Sequence, residues 1–341
     1  MNIKRFLTVS VIISIVVILA ISAFTVDKDS LAYLSRISPY YLLLAVILHI
    51  LSIIAISLKL MVLTHSIGYR ISFKEAVEIS LASGFLAAIT PSQMGGEPLR
   101  IKMLSDTTGG GRATAIVLGE RVLDVIFFIS LVPIILVLFG GMIVVGDPMA
   151  YILGSALFLA IIWAMIWIGV IRPELLKKGA RWAITKTKIF SKRKDDEEKL
   201  IERIELEIDG LSTSFKMMVK KKGHFSLALA LTFAIWLLDF SIPSVILMGF
   251  GLKPIWLYSI FSQVLITLIA IAPTTPGASG VYEFSILAFY SPFVPRAIIG
   301  IFILLWRSSI YYFNLIVGGI VSIKIINRYG ENDGNGDKGE G

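Results

Sequence analysis

Six stretches of this chain stay apolar for about twenty residues, the length an α-helix needs to cross a hydrocarbon core of about 30 Å. They cover residues 6–26, 40–63, 113–140, 151–171, 225–250 and 297–323. A water-soluble fold has no surface for so much oil, since 56% of the 341 residues are apolar and only 16% are charged. The sequence therefore specifies an integral membrane protein built from helices. The first run follows Lys4 and Arg5 and reaches Asp27 without a clear small-x-small cleavage site. It also exceeds the h-region of a secretory signal, so it reads as an uncleaved span.

Composition removes several chemistries. No cysteine is present, which excludes disulfides, thiolate metal sites and cysteine nucleophiles. The three histidines, His49, His65 and His224, are isolated in sequence and show no ligand spacing, so neither a metal nor another cofactor is expected. A net charge of +8 would suggest nucleic acid in a soluble chain. Here the basic residues flank apolar runs, the pattern that sets orientation and touches anionic lipid, and no nucleic-acid partner is expected.

Two short breaks interrupt the oil. Thr90-Pro91-Ser92-Gln93-Met94-Gly95-Gly96-Glu97-Pro98-Leu99-Arg100 follows the short apolar segment 75–90, and Pro273-Thr274-Thr275-Pro276-Gly277-Ala278-Ser279-Gly280-Val281-Tyr282-Glu283 follows 255–272. Both read Thr-Pro-x-x-x-Gly and then reach a glutamate. Broken backbone and a carboxylate are tolerated at membrane depth only where they line a protected cavity. The bland reading is a pair of tight helix–helix turns. In the sharper one, Pro98 takes the first helical position after Glu97, and the new helix aims unpaired N–H groups and its positive dipole end into the cavity. Such an end suits phosphate. The Gly277–Gly280 stretch would likewise present bare backbone before a helix resumes near Val281.

Charge decides whether the two short segments cross. With Lys4 and Arg5 inside, six spans put the 172–224 connection in the cytoplasm, where its fifteen Lys and Arg residues satisfy the positive-inside rule. A full crossing by 75–90 would place that basic connection outside and the nearly uncharged 141–150 turn inside. Both segments are therefore read as re-entrant, the first entering from the cytoplasm between Arg70/Lys74 and Arg100/Lys102, the second from the outer side between Lys253 and Arg296. Opposed broken helices are the sequence trace of an inverted repeat around a central site. The expected fold is all-α: a polytopic membrane helix bundle with six full spans plus two re-entrant broken-helix hairpins in inverted-repeat relation. Residues 1–329 would form a single transmembrane domain of the cell membrane, with both termini cytoplasmic.

Charges inside the spans form a second constellation. Glu120, Arg121 and Asp124 lie in the third span, where i,i+3 and i,i+4 spacing brings Arg121 to Asp124 and stacks Glu120 on the same face. Asp239 lies near the middle of the fifth span and Arg307 in the sixth. An isolated charge there costs about 2.5–3.5 kcal/mol, so these groups should face one another or water; Arg121 or Arg307 with Asp239 is one such pairing. Lys59, near a span end, is expected to snorkel. In the basic connection, Leu200, Ile201, Ile204, Ile208, Leu211, Phe215 and Met218 fall at helical spacing on a charged background. They describe an amphipathic helix that lies on the membrane surface or packs on the bundle. The tail 330–341, rich in Gly, Asn, Asp and Glu, has nothing to bury and is expected to be disordered.

Four stretches, TPSQMGGEPLRIKML, GERVLD, APTTPGASGVYE and WRSSIYYFNLIVGG, in this order, resemble the lysylphosphatidylglycerol synthase transmembrane-region family, often called flippase-like. The resemblance runs over about residues 5–325. It implies movement of a polar-headgroup lipid between leaflets, and some relatives are associated with polyprenyl-linked sugar pathways. By position, the functional residues it implies are Pro91, Gly95, Gly96, Glu97 and Arg100, then Glu120, Arg121 and Asp124, then Pro276, Gly277, Gly280 and Glu283, and finally Arg307. The family's namesake enzymes carry a soluble aminoacyltransferase domain after the membrane part, for which this sequence has no counterpart. The chain is thus not expected to make lysyl-lipid, although a separate lipid-modifying enzyme is a compatible partner. Ala278 stands where relatives often have a glycine-rich run.

The primary expectation is a translocase, not an enzyme, for a phospholipid or polyprenyl-linked lipid. A polar groove lowers the cost of dehydrating a headgroup in transit. Half-helix N-termini and Arg100 would hold phosphate, Glu97 and Glu283 would contact hydroxyl or amine groups, and Arg121, Asp124, Asp239 and Arg307 would line or gate the passage. The G-x-x-x-x-G-K-[ST] phosphate loop is absent from the sequence, so movement would be downhill or ion-coupled. One alternative is an intramembrane lipid transferase with Glu97, Glu283 or Asp124 as general base, against which the sequence offers no metal cluster, no His–Asp dyad and no nucleophile motif. Another is a scaffold that docks a partner through the cytoplasmic helix.

Overall fold

The structure is a computed structural model that describes residues 37–90, 95–143, 172–187, 194–270, 275 and 277–336. The spans expected at 6–26 and 151–171, together with Pro91, Pro276 and residues 337–341, lie outside the described residues. The described residues hold α-helices and no strand. In chain order they are α1 Pro39–Ser66, α2 Phe73–Ile89, α3 Gly96–Thr108, α4 Gly110–Ile143, α5 Pro173–Thr187, α6 Lys194–Lys220, α7 Lys222–Gly249, α8 Trp256–Ala270, α9 Val281–Tyr290, α10 Ile299–Arg307 and α11 Phe313–Gly336. A π-helical turn, Ser308–Tyr312, joins α10 to α11.

Among these residues, Pro39–Ser66, Lys222–Gly249 and Arg296–Arg328 are long and apolar enough to cross a membrane. They coincide with three of the expected spans, and α4 covers a fourth. The two segments that precede the breaks are the shorter helices α2 and α8, of 17 and 15 residues. Local sequence explains the helix starts. Pro39 opens α1, where its missing N–H costs nothing. Ser72 caps α2, its hydroxyl accepting the Glu75 N–H at 3.2 Å. Helix α11 continues through Gly330 to Gly336, so the first residues of the expected tail form its last turns.

Packing groups the chain into two compact units. One comprises the described residues up to Leu58, Ser72–Arg100, and those from Phe233 onward; the other comprises Lys59–Ile71 and Ile101–Thr232. In the first unit, Ile242 and Ile246 of α7, Tyr290 of α9, and Phe302 and Ile303 of α10 share a core with Ala45 of α1. Helices α2 and α11 also pack together there. A Cβ on Gly318 would run into the Leu81 carbonyl oxygen and lie 2.9 Å from the Phe85 Cβ. Small residues let backbones approach in this way where lipid supplies no hydrophobic drive between helices.

In the second unit, α6 lies along α4, and α5 lies on α6. Phe215 and Met218 are buried, and the Met218 side chain lies against Gly119 of α4. The amphipathic stripe therefore packs on α4 at its C-terminal end, where Phe215 and Met218 are buried. Lys177 of α5 reaches Asp209 of α6 at 2.7 Å, and that hydrogen bond pushes the lysine pKa up from its ordinary value.

Candidate functional site

The first break is organised by Thr90. It caps the C-terminus of α2 in extended conformation. Its hydroxyl donates to the Leu86 carbonyl at 2.7 Å and accepts the Gly95 N–H at 2.9 Å. Helix α3 then begins at Gly96, earlier than the expected start at Pro98. Proline is tolerated anywhere in a first turn, where N–H groups have no partner within the helix, so Glu97 and Pro98 both sit inside it. Glycine at 96 allows the close approach: a Cβ there would lie 2.7 Å from the Ser83 carbonyl oxygen. Arg100, one turn further, donates to the Ser83 hydroxyl at 3.0 Å. Glu97 and Arg100 are both half-buried.

The second break turns through left-handed backbone at Gly277, Ala278 and Gly280, with φ of 60°, 49° and 91°. Alanine adopts this region at a cost of about 1–2 kcal/mol. The Thr275 hydroxyl hydrogen-bonds the Ser279 carbonyl inside the turn, and α9 starts at Val281, where the sequence placed it. The two breaks meet: the Gly277 N–H donates to the Thr90 carbonyl at 3.0 Å.

Glu283 and Arg307 lock the second break from within. The Arg307 Nε donates to Glu283 Oε1 at 2.8 Å, and the other carboxylate oxygen accepts the Gly280 N–H at 2.6 Å. Arg307 also donates to the Ser279 hydroxyl at 3.0 Å and lies over the rings of Tyr311 and Tyr282, 4.2 and 5.4 Å from their centroids. Both charged side chains are buried, Glu283 completely and Arg307 at 2% exposure. An ion pair at such depth persists only when its remaining hydrogen-bonding capacity is met. Here that capacity is met by the glycine-rich turn, so the pair fixes the turn's shape.

Asp239 does not pair with either arginine. Its Oδ1 lies 3.0 Å from His49 Nδ1 of α1, and its Oδ2 accepts the Ser52 hydroxyl at 3.0 Å. A His–Asp dyad is therefore present, formed between residues too far apart in sequence to be read as a motif. His65 and His224 are also paired in space, their rings 5.2 Å apart.

In the second unit, Asp124 joins Arg121 at 3.1 Å, as the i,i+3 spacing predicts. It also joins Lys59 at 3.3 Å. Lys59 does not snorkel: it is 3% exposed, because a carboxylate within reach on α4 replaces the water its amine would otherwise seek. Glu120 is fully buried. The expected site residues thus fall into the paired breaks with Asp239 in one unit and the Asp124 cluster in the other. Ser52 and Ser83 carry no sequence signal, since a serine in an apolar helix has no pattern until its partner is known, and the spacing of the second break does not single out Ser279 from its neighbours.

The sequence profile of the lysylphosphatidylglycerol synthase TM region matches residues 9–318. The chain is 32% identical over 315 residues to a UPF0104 membrane protein of Archaeoglobus fulgidus, covering 92% of this chain and 94% of that one. It is 29% identical over 331 residues to a UPF0104 membrane protein of Methanocaldococcus jannaschii, covering 93% and 94%. A further UPF0104 membrane protein, from Methanothermobacter thermautotrophicus, is 24% identical over 266 residues, or 76% and 77% of the two chains. With its membrane-length helices and a matching region that spans most of its length, this multi-pass membrane protein belongs to the lysylphosphatidylglycerol synthase transmembrane-region family.

Proposed function

We propose that this chain moves a lipid with a polar headgroup, a phospholipid or a polyprenyl-linked lipid, between the leaflets of the cell membrane. The observation that carries the reading is the contact of the two broken motifs through Gly277 and Thr90. Two helix interruptions in apolar surroundings concentrate backbone dipoles and charged side chains where a headgroup needs replacements for lost water. In this reading α2 and α8 are re-entrant, and the two halves are related as inverted repeats that alternate access. Both termini would be cytoplasmic.

The residues then divide by role. The first turn of α3 and Arg100 hold the phosphate, and Glu97 meets hydroxyl or amine groups. Glu283 and Arg307 act one step back, holding the Gly277–Gly280 turn in shape. Asp124 with Arg121 and Lys59 ties α1 to α4. The His49–Asp239 dyad removes one objection to a lipid transferase, but Ser52 bonds the carboxylate and not the imidazole. Among the described residues, no hydroxyl is thereby poised as a nucleophile against His49.

Proteoliposomes carrying a panel of fluorescent lipids test the proposal. Headgroup exposure of an unchanged lipid supports translocation. A chemically altered lipid supports a transferase, and neither result supports the scaffold reading.

A further inference from the structure

Within the first unit, a contact between an imidazole and a carboxylate joins α1 to α7, and both α7 and the nearby junction of α10 with α11 are irregular. Pro243 lies inside α7, four residues beyond Asp239. It has no N–H to give the Asp239 carbonyl, so the helix ladder is interrupted at the residue that carries the acid. The π-helical turn Ser308–Tyr312 ends against Phe313, whose ring meets the His49 ring edge-on at 5.5 Å. Interruptions of this kind concentrate at functional positions. His49 is 3% exposed, its Nδ1 faces Asp239, and its Nε2 is buried with no hydrogen-bond partner among the described residues. The Asp239 side chain remains 20% exposed.

The chemistry of this arrangement is narrow. An ionised carboxylate accepts hydrogen bonds and donates none, so Nδ1 must carry the hydrogen that lies between the two side chains. The lone pair of neutral His49 is then at Nε2. Among the described residues, Asp239 is the charged group that faces His49 from α7, Ser52 is the polar group beside them on α1, and α11 brings the Phe313 ring edge-on. The unprotonated dyad carries one net negative charge among apolar helices. Adding a proton at Nε2 makes an imidazolium–carboxylate pair with no net charge.

We infer that His49 Nε2, backed by Asp239 and Ser52, is a proton-binding site that couples proton movement to lipid movement. The bound proton forms an N–H bond at Nε2 and breaks none in the protein. The coupling rests on the proposed translocase function; proton binding does not.

The test uses the full-length chain in nanodiscs with His65→Gln and His224→Gln, which leaves His49 as its sole histidine. Nitrogen-15 NMR of the imidazole then reports tautomer and protonation directly. The expected result is the Nδ1–H tautomer, converting to imidazolium as the pH is lowered. Asp239→Asn should lower proton affinity about tenfold. Ser52→Ala should shift it slightly the other way by freeing the carboxylate to hold the imidazolium. Absence of any imidazolium signal over the pH range in which the protein stays monodisperse, or a midpoint unmoved by Asp239→Asn, overturns the site. Coupling is read separately in proteoliposomes. Lipid movement accelerated by a pH gradient in the wild type and indifferent to it in His49→Gln supports coupling. Movement that ignores the gradient in both overturns coupling and leaves the translocase standing, whereas no movement in either overturns both.

Discussion

The amide of Gly277 donates to the carbonyl of Thr90 at 3.0 Å, joining two helix interruptions that stand far apart in the chain. Thr90 also receives the Gly95 N–H on its hydroxyl at 2.9 Å. One residue therefore satisfies donors from both breaks. Thr90→Ser retains these contacts and is expected to keep activity and stability. Thr90→Val removes the hydroxyl and strands the Gly95 N–H, at a cost of about 1–3 kcal/mol. Thermal unfolding in detergent and lipid movement in vesicles would both report the difference.

Glu283 and Arg307 make a second comparison. Glu283→Gln leaves a buried guanidinium without its counter-charge, and a loss of about 3–5 kcal/mol is expected. Pairing Glu283→Leu with Arg307→Met removes both charges and should recover part of that loss. Full additivity of the two single variants in a thermal-stability cycle would deny the coupling seen at 2.8 Å.

Two cations on Asp124 should differ in importance. The Lys59 side chain is 4% exposed in this pair and Arg121 is 46% exposed. Lys59→Met is therefore expected to destabilise by about 3–5 kcal/mol, and Arg121→Gln by no more than about 1 kcal/mol. Equal losses in chemical or thermal unfolding would refute the ranking.

At the α2–α11 contact, Gly318→Val must displace the Leu81 backbone, whereas Gly319→Ala meets only the Phe85 ring at 3.3 Å. The first is expected to cost about 1–3 kcal/mol or more by overpacking, and the second less. Yield of monodisperse protein and its melting temperature would separate them.

On α6, Phe215→Asp puts a charge into the buried seam and should release the helix from α4. Leu206→Ser changes a side chain that is 67% exposed and should do little. Protease sensitivity around residues 194–220 measures both. Lys177 binds Asp209 with a raised pKa, so that link is fully present at neutral pH and weakens only as pH climbs above the ordinary lysine value of 10.5. Holding of α5 that fails near neutrality would contradict this sign.

What could be read from the sequence was local. The i,i+3 pair Arg121–Asp124, the start of α9 at Val281 and the stripe ending in Phe215 and Met218 follow from helical spacing alone. The Pro98 start was displaced because any position of a first turn accepts proline. Partners between distant helices were hidden. Along the chain nothing points Lys59 to Asp124, so its place near a span end predicts snorkelling, and nothing marks His49, on another span, as the partner of Asp239. Spacing within one helix is encoded by periodicity; spacing between helices is set by packing, and a lone serine or histidine gives no sign of it.

The most direct test of the account is the rate at which a quencher confined outside proteoliposomes reaches a headgroup-labelled lipid that began in the inner leaflet. Wild-type protein is expected to expose this lipid well above protein-free vesicles, with Glu97→Gln falling to the protein-free rate while still inserting and remaining monodisperse. A wild-type rate no faster than empty vesicles, or a Glu97→Gln rate equal to wild type, would contradict it.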